Sequence, residues 1–395
     1  SNQFVMLATV LFAAVATGST ALIARAVGAR DPLIAHRTVN QSMLVGTLVG
    51  LTTTALGALL AGPAVRLQGA SGGALPLATV YLRIVSCTFL LSTWLFIGNA
   101  CLRGAGDTRS TMLIMLLVNA VNIAVASALI YGALGLPRLG VAGSALGAAC
   151  GRATGGAVIV YLLCRGRSGL RLNLRAMRPD PQIIRRVLRV GVPTGVEQLL
   201  MRLGMASYLR VVAGLGMTAV AAHAVALNAE SLSYSPGFGF AVAATTLVGQ
   251  GLGAGDPRRA ERDGYLAYRL GGVLMSFMGL VFFLFSRQIV AIFTDDPQVI
   301  ALGSGPLRLV AIMQPLLAAN MIFNGALRGA GDTRWPMLAT GVGIWGVRLP
   351  LALLFVLVLE GGLMGAWCAM VVDQIVRGSA AFWRFRSGRW KTTRV

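Results

Sequence analysis

The chain is poor in lysine and in acidic residues. It has one lysine, Lys391, against 33 arginines, and only 13 aspartates and glutamates among its 395 residues. A phosphate-binding P-loop needs a lysine after its glycines, and no lysine precedes residue 391. The chain therefore carries no P-loop ATPase site of its own.

Cysteine and histidine are also scarce, which argues against metal and disulfide chemistry. The five cysteines lie in or at the ends of apolar stretches without C-x-x-C spacing, and the only histidines are His36 and His223. An integral-membrane enzyme would need a cluster of His, Cys or carboxylates at the membrane face, and the sequence shows none. We therefore expect no cofactor and no metal centre, and an enzyme is the less favoured interpretation.

Hydrophobic residues, in contrast, are abundant. They make up 56% of the chain, charged residues make up 12%, and the mean hydropathy is +0.75, whereas a soluble domain carries about a quarter charged residues. Eleven apolar stretches are long enough to cross about 30 Å of hydrocarbon as helices. They are 3–24, 38–62, 77–102, 110–133, 139–164, 187–213, 218–249, 264–286, 302–327, 335–359 and 362–383. The sequence predicts an all-α, multi-pass membrane protein in contact with the lipid bilayer.

The formal net charge of +21 is distributed unevenly along the chain. If the turn at 102–110 is cytoplasmic, the cytoplasmic turns and tail hold most of the arginines. The outside turns hold only Arg66, Arg138 and Arg287. This is the pattern of the positive-inside rule. No basic stripe is interleaved with aromatic residues, so we do not expect nucleic acid as a partner.

One segment occurs twice and shows that the chain is duplicated. The eight residues Leu102–Arg109 return letter for letter as Leu327–Arg334, 225 positions later. The same offset pairs Asn99 with Asn324 and Arg152 with Arg377. The sequence therefore predicts two copies of one membrane unit, with a cavity between the two copies near the membrane midplane.

The duplication also predicts the domain boundaries. We expect a first lobe of five spans at 1–164, an arginine-rich cytoplasmic linker at 165–186, a second lobe of six spans at 187–383, and a basic cytoplasmic tail at 384–395. Subtracting 225 places residue 1 opposite Ala226, inside the second span of the second lobe. The complete fold is thus expected to have two pseudo-symmetric six-helix lobes. We expect the first helix and part of the second to lie before the start of this sequence.

Three acidic residues lie deep in predicted spans. Glu197, Glu230 and Asp373 are each roughly ten residues from a span end, about 15 Å deep. Acids at that depth are costly and indicate function unless they form structural pairs, for example Glu197 with Arg202 or with an arginine on a neighbouring helix. They could bind protons or, with neighbouring oxygens, sodium at Glu197 and Asp373. The sequence leaves the choice of ion open. Gln198 and Asn228 are further candidates for the ion or substrate site.

The repeated turn itself is expected to be structural. Its glycines end the incoming helix, Asp107 or Thr108 can cap the next one, and its arginines can anchor at lipid headgroups. We expect a hinge in each copy, formed by Arg103, Gly104, Gly106 and Asp107 and by Arg328, Gly329, Gly331 and Asp332. The ridge Gly143, Gly147, Gly151 and Gly155 predicts close packing of two helices.

Several stretches together resemble a known family. The chain is similar to MATE (multidrug and toxic compound extrusion) transporters, and most similar to their DinF-like branch, over its whole length. The resemblance is carried by 20–28, by Gly191–Gln198, by Ala221–Asn228, by Thr246–Gly255 and by both copies of L-R-G-A-G-D-T-R. Glu197 matches an acid on the seventh helix that members use to bind ion or substrate. The family's aspartate on the first helix has no counterpart in this sequence.

The resemblance implies two six-helix lobes and alternating access. It implies export of cationic or amphipathic drugs in exchange for inward protons or sodium, by a monomer in the bacterial cytoplasmic membrane. A lipid-linked precursor flippase of the same superfamily is the alternative within transport. Such a flippase would need a cavity lined by arginines. Candidates for that lining are Arg83, Arg202, Arg308 and Arg348.

Overall fold

The computed structural model describes residues 2–63, 74–132, 138–173 and 177–393, and in these ranges the protein contains helices and no strand. The first part of the chain forms six helices: α1 (Asn2–Gly28), α2 (Pro32–Leu59), α3 (Ala74–Cys87), α4 (Phe89–Gly104), α5 (Thr108–Tyr131) and α6 (Val141–Cys164). A long helix, α7 (Pro181–Ala213), follows. The remainder forms α8 (Met217–Gly253), α9 (Pro257–Leu284), the short α10 (Ser286–Ala291), α11 (Pro297–Gly329), α12 (Arg334–Val358) and α13 (Gly362–Arg386).

The predicted apolar stretches are helical, with one correction. The stretch 77–102 is two helices, because the chain breaks at Thr88, where the side-chain hydroxyl donates to the Val85 carbonyl at 2.8 Å. Within the described residues, seven helices are long and apolar enough to cross a membrane. They are Met6–Gly28, Pro32–Leu59, Thr108–Tyr131, Val141–Cys164, Pro257–Leu284, Pro297–Gly329 and Arg334–Val358. The fold is the all-α membrane architecture that the sequence predicts.

Aspartate residues set the start of several helices. Asp31, Asp256 and Asp296 each precede a proline, and each side chain accepts a hydrogen bond from a backbone N–H in the first turn. Proline suits the first helical position because its missing N–H would have no partner there. Asp180 caps α7 in the same way, because its side chain accepts a hydrogen bond from the Gln182 N–H, and Pro181 is the first residue of that helix.

The chain divides into two compact units, Ser1–Gly195 (unit 1) and Val196–Val395 (unit 2). The division falls inside α7, so residues 187–195, which the sequence assigns to the second lobe, pack with unit 1. In that part of α7, Gly191 lies against the Ala14 carbonyl of α1, and Gly18 of α1 lies against the Val187 carbonyl. Only glycine permits backbones to approach this closely.

Corresponding helices pack alike within each unit. In unit 1 the hydroxyl of Thr20 donates to the Ala100 carbonyl at 3.0 Å, joining α1 to α4. In unit 2 the hydroxyl of Thr245 donates to the Gly325 carbonyl at 2.8 Å, joining α8 to α11. Both donor and acceptor positions differ by 225. The sequence duplication is therefore a duplication of helix packing.

The glycine ridge of α6 packs against α5, as its spacing predicts. A Cβ at Gly143 would meet Leu129, and one at Gly147 would meet Ala126. At Gly151 it would lie 2.7 Å from the Val118 carbonyl, and Cβ of Asn122 is close by. This close approach holds α5 and α6 together and fixes the positions of their polar side chains.

Unit 2 has a more irregular helix and a folded C-terminus. In α12 the segments Val342–Arg348 and Leu354–Val358 are wide π-helical turns on either side of Pro350, which lacks the N–H of a regular helix. The first residues of the predicted basic tail at 384–395 continue α13 to Arg386, and the chain then turns back. Its Trp390 is fully buried and stacks on Phe385 at 4.7 Å.

Candidate functional site

A buried aspartate held by two arginines lies in the interior of unit 2. Asp373 of α13 has no exposed surface. Nε and Nη2 of Arg377, one turn later, donate to its Oδ1 and Oδ2 at 2.9 and 2.8 Å. Nη2 and Nε of Arg348 donate to Oδ2 at 2.7 and 2.9 Å. Both oxygens are engaged, and the three side chains together carry a charge of +1.

The irregular part of α12 brings Arg348 and Asp373 together. Arg348 is the last residue of the first wide turn. Gly343, in the same turn, lies directly against Oδ1 of Asp373 and the side chain of Arg377, where a Cβ could not fit. The local sequence, a glycine followed by an arginine and Pro350, therefore builds the arginine side of the site.

A chain of amides continues from the arginines. Nη2 of Arg377 donates to Oε1 of Gln374 at 3.0 Å, and Nδ2 of Asn320 donates to the same oxygen at 3.0 Å. Nδ2 of Asn324 donates to Oδ1 of Asn320 at 2.7 Å. Oδ1 of Asn324, at the end, is buried and accepts no hydrogen bond within the described residues. The charged groups of the network thus have hydrogen-bond partners, whereas the amide oxygen of Asn324 at its other end has none in the described residues.

Glu230 of α8 is buried without a hydrogen-bond partner. It is 2% exposed, and neither carboxylate oxygen accepts a hydrogen bond within the described part of the chain. Arg348 is the nearest charge acting on it, and Tyr208 and Tyr234 are the titratable neighbours that feel its charge. An ionised carboxylate in such surroundings is costly. Of the three interior acids Glu197, Glu230 and Asp373, Glu230 is the one whose carboxylate accepts no hydrogen bond in the described structure.

Glu197 of α7 forms an ion pair with an arginine of a neighbouring helix. Its Oε1 accepts from Nη2 of Arg328 at 2.7 Å and from the hydroxyl of Thr340 at 3.2 Å, and Oε2 has no partner in the described structure. Of the two structural pairs that the sequence leaves open, the pair with Arg202 is not formed, and the pair with an arginine on a neighbouring helix is. Five residues turn a helix by about 140° beyond a full turn, so the two side chains diverge. Arg328 lies in the last turn of α11, which places this carboxylate at that end of the helix.

The two carboxylates on α7 and α13 contact one face of α12. Thr340, which donates to Glu197, and Gly343, which lies against Asp373, are three residues apart and so lie on the same helix face. The structure does not add Gln198 or Asn228 to this cluster. Gln198 is half-buried and Asn228 is exposed, with no hydrogen bond from either side chain in the described residues.

The two hinge turns differ in detail. Gly106 and Gly331 both have positive φ, 90° and 82°. Asp107 caps α5 through the Ser110 N–H at 2.9 Å, whereas Asp332 pairs with Arg384 at 2.8 Å. Burial alone raises the pKa of the Asp107 carboxyl. Hydrogen bonds from Ser168, from Ser110 and from Arg167 outweigh burial and lower that pKa to about 2.

Unit 1 contains a cavity of about 400 Å³ among α1, α4, α5 and α6. Its apolar wall includes Phe12 and Phe89, whose rings meet edge to face at 6.1 Å. Its lining residues are Thr9, Phe12, Phe89, Ser92, Leu95, Phe96, Asn99, Arg103, Met115, Val118, Asn119, Asn122, Ala148 and Arg152. The lining contains two arginines, three asparagines and no acidic residue. The size and mixed lining suit a drug-sized amphipathic molecule.

Sequence reasoning found the three acids but missed most of their partners. Arg348 was a candidate only for a flippase cavity, while Arg377 and Arg152 served only to show the repeat. The missed signal was i,i+4 spacing: Asp373 and Arg377 are one turn apart on a predicted helix. The contacts of Glu197 with Arg328 and Thr340 join residues more than 130 positions apart, and no local pattern encodes them.

Comparisons with known proteins agree on one family. The family model described as MatE matches residues 1–127 and 193–354. The chain is similar to the probable multidrug resistance protein NorM of Thermotoga maritima, with 33% identity over 100% of this chain and 85% of the relative. It is also similar to the uncharacterized transporter YisQ of Bacillus subtilis, with 28% identity over 99% of this chain and 86% of the relative.

Solved structures show the same fold. A MATE protein in the straight conformation superposes with a TM-score of 0.90 and 26% identity over 97% of this chain and 85% of that chain. A MOP superfamily transporter from Pyrococcus furiosus superposes with a TM-score of 0.87 and 27% identity over 98% of this chain and 86% of that chain. The latter is described as having a binding pocket of reverse polarity that suggests a different function. The DinF-like branch and the missing first helix stay predictions.

Proposed function

Because the chain belongs to the MatE family of membrane transporters, we propose that it is a secondary antiporter that exports amphipathic small molecules in exchange for protons by alternating access. It is a multi-pass membrane protein and not an enzyme. The relatives are named for multidrug resistance, which supports drug-like substrates. We place it in the bacterial cytoplasmic membrane as a monomer, consistent with its asymmetric arginines.

Glu230 is the observation that carries the proposal. Asp373, Arg348 and Arg377 together carry a charge of +1, so an ionised Glu230 brings the buried group to zero and a protonated Glu230 leaves it at +1. Each proton taken up or released changes the charge inside unit 2. A transporter can couple a proton to its cycle if its two conformations differ in affinity for that proton. Tyr208, Tyr234 and His223 are the other titratable groups around this charge.

Sodium is the less favoured coupling ion. Hard cations need several oxygen ligands. Both oxygens of Asp373 already accept hydrogen bonds from arginines, and one oxygen of Glu197 accepts from Arg328 and Thr340. In the described residues no group of three or more His, Cys, Asp or Glu is arranged to hold a metal ion. A sodium ion at Asp373 would have to displace two arginines.

Glu197 has a second role in the proposal. Its pair with Arg328 joins α7 to the hinge turn at the end of α11. Breaking and remaking this pair would let the hinge move. Oε2 of Glu197 would meanwhile stay available to an ion. Organic cations, the substrate class first expected, would need a carboxylate to bind them, and Glu197, Glu230 and Asp373 are buried carboxylates of unit 2.

The test is gradient-driven transport in proteoliposomes. The protein, expressed from its complete gene, is reconstituted, and a pH or a sodium gradient is imposed separately. Transport of ethidium and of 9-anthracenecarboxylate is followed by fluorescence. We expect the pH gradient to drive transport and Glu230→Gln to lower the driven rate at least about tenfold, because glutamine cannot exchange a proton.

The matched control is Asp295→Asn, which removes an exposed carboxylate that makes no hydrogen bond in the described structure. It should transport at the wild-type rate. Thermal unfolding of both variants checks that they fold. A rate driven by sodium alone, or an unchanged rate in a folded Glu230→Gln protein, would refute proton coupling at Glu230.

A further inference from the structure

The interior of unit 2 contains a histidine, His223 of α8, which is 4% exposed. Its ring contacts the rings of Tyr208 of α7 and Trp367 of α13, with centroid distances of 5.7 and 5.5 Å. The other histidine of the chain, His36, lies between two predicted spans, whereas His223 lies inside one. A side chain that can gain and lose a proton is thus held among aromatic rings in the membrane-spanning part of the unit.

Packing alone does not explain a histidine at this position. Nδ1 of His223 is buried and has no hydrogen-bond partner within the described residues. A buried polar atom without a partner destabilises the fold. A phenylalanine would make the same ring contacts without that cost. The ring nitrogens of His223 therefore indicate a use beyond packing.

The same interior holds four further buried polar atoms that have no partner in the part of the chain that the structure describes. They are the hydroxyl of Tyr208, Nε1 of Trp367, Oε1 of Glu230 and Oε1 of Gln314. The amide of Gln314 lies beside Glu230, because its Nε2 donates at 3.1 Å to the hydroxyl of Ser233, which itself donates to the Glu230 carbonyl at 2.9 Å. Unused hydrogen-bonding capacity therefore extends from His223 to Glu230, and ordered water can bridge such groups.

His223 and Glu230 lie on the same face of α8. Seven residues are close to two full turns, so the two side chains project in nearly the same direction, about 10.5 Å apart along the helix axis. Direct proton transfer needs a hydrogen bond of about 3 Å between the two groups. A proton that passes from His223 to Glu230 therefore needs an intermediate group.

Tyr208 has the position for that group. Its ring contacts His223, and its buried hydroxyl is affected by the charges of Glu230, Arg348 and Cys368. The guanidinium of Arg348 lies over the same ring, 5.8 Å from its centroid. A phenol hydroxyl both donates and accepts hydrogen bonds, so it can accept a proton on one side while it releases its own on the other.

The order of these residues along α8 runs from the outer face inward. If the 102–110 turn is cytoplasmic, α8 begins at the outer face, where its first residue, Met217, is exposed. His223 is then about 9 Å along the helix and Glu230 about 20 Å along it. A proton that enters from outside along α8 therefore reaches His223 before Glu230.

On the cytoplasmic side of Glu230 the polar contacts are of a different kind. Tyr234, one turn later, accepts a hydrogen bond from Nε2 of Gln374 at 3.5 Å, and Gln374 in turn accepts from Asn320 at 3.0 Å. Amide groups hold hydrogen bonds but do not titrate as imidazole does. In this conformation the described residues thus offer an imidazole and a phenol on the outer side, and a phenol followed by amides on the inner side.

We propose that His223 and Tyr208 form the relay that delivers protons from the outer face to Glu230. His223 accepts a proton at one ring nitrogen and releases a proton from the other. The hydroxyl of Tyr208 accepts that proton and passes its own to the carboxylate of Glu230. Both relay groups end neutral, and Glu230 gains one proton. This inference rests on the proposed function and deepens it by naming the route of the coupling proton.

The experiment measures proton uptake directly and needs no transported substrate. Protein expressed from the complete gene, in lipid nanodiscs, is shifted from alkaline to acidic pH by stopped-flow mixing with a pH-indicator dye in weakly buffered solution. The Glu230-dependent phase is the difference between each protein and the same protein carrying Glu230→Gln. We expect His223→Phe, which keeps a ring in place, to slow this phase at least about tenfold. Its amplitude should not change, because a relay alters the rate of protonation and not the affinity of the acceptor.

Three further variants sharpen the test. His223→Gln should slow the phase as His223→Phe does, which makes the result independent of how one substitution packs. Tyr208→Phe keeps the ring and removes the hydroxyl, so it should also slow the phase, and the double variant should be no slower than either single one. His36→Gln is the matched control. It removes the other histidine, which contacts the Gly169 carbonyl of unit 1, and should keep the wild-type rate.

Each outcome decides the proposal. A Glu230-dependent phase with the wild-type rate, in a His223→Phe or Tyr208→Phe protein whose thermal unfolding shows that it is folded, overturns the relay but leaves proton coupling at Glu230 intact. A smaller amplitude at an unchanged rate also overturns it, because His223 would then act on the affinity of Glu230. If wild type and Glu230→Gln take up protons identically, proton coupling at Glu230 fails, and the relay fails with it.

Discussion

The two units share their helix packing but differ in the chemistry of their interiors. Thr20 and Thr245 make the same interhelical hydrogen bond 225 residues apart. At the centre of each unit, however, Asp373 is clamped by two arginines while its equivalent, Ala148, faces a cavity. The packing contacts are kept where they hold helices together. The charges differ between the ion-pair network of unit 2 and the cavity of unit 1.

This difference suggests a division of labour. Unit 2 keeps both signs of charge inside, and its unpartnered Glu230 can exchange a proton within a group of fixed charges. In the described residues of unit 1, the position equivalent to Asp373 is Ala148, which lies at a cavity with no acidic residue in its lining.

The largest difference in stability between equivalent substitutions in the two units should come from removing the buried acid of unit 2. Asp373→Asn leaves Arg348 and Arg377, which are 3% and 7% exposed, without a counter-charge. Removing one partner from a buried ion pair costs about 3–5 kcal/mol. We expect the free energy of unfolding, measured by denaturant titration in mixed micelles, to fall by that amount.

The equivalent change in unit 1 is the control. Ala148→Asn places the same side chain beside the cavity and should cost no more than about 0.7 kcal/mol, the difference in helix propensity. Equal losses for the two variants would mean that the clamp around Asp373 contributes little. The contrast between the units would then be one of shape and not of charge.

The sequence alone predicts much of this comparison. The offset of 225, the helices, the glycine ridge and the three interior acids all follow from periodicity, spacing and the cost of charge in lipid. The break at Thr88 was not predictable, because both sides of it are equally apolar. The arginine partner of Glu197 was not predictable either, since it depends on which helices meet. The cavity was not predictable from the sequence, because Ala148 is an ordinary helix residue except that it occupies the repeat position of Asp373.

A smaller effect on stability, of the same size in both units, is expected for the interhelical hydrogen bond that the two units share. Thr20→Val and Thr245→Val each remove a hydroxyl that donates both within its helix and to a neighbouring helix. Interhelical hydrogen bonds in membrane proteins average about 0.6 kcal/mol. Each variant should lower the free energy of unfolding by about that amount, and the double variant by the sum. A loss in one unit several times that in the other would contradict equivalent packing.

The smallest expected effect concerns the two hinge aspartates, Asp107 and its repeat equivalent Asp332. Hydrogen bonds from Ser168, Ser110 and Arg167 outweigh burial and hold the pKa of Asp107 at about 2, below its ordinary value of 3.8. A carboxyl whose pKa is lowered by folding stabilises the folded state above its unfolded pKa, and that contribution is lost as the pH falls. The loss from Asp107 should therefore occur between about pH 4 and pH 2.

Asp107→Asn keeps a good helix cap and removes the charge, so its unfolding temperature should fall less steeply than that of wild type over this range. Asp295→Asn controls for the loss of any one carboxylate and should follow wild type. Parallel curves for Asp107→Asn and wild type would show that the contacts of Asp107 with Arg167 and Ser168 do not depend on its charge.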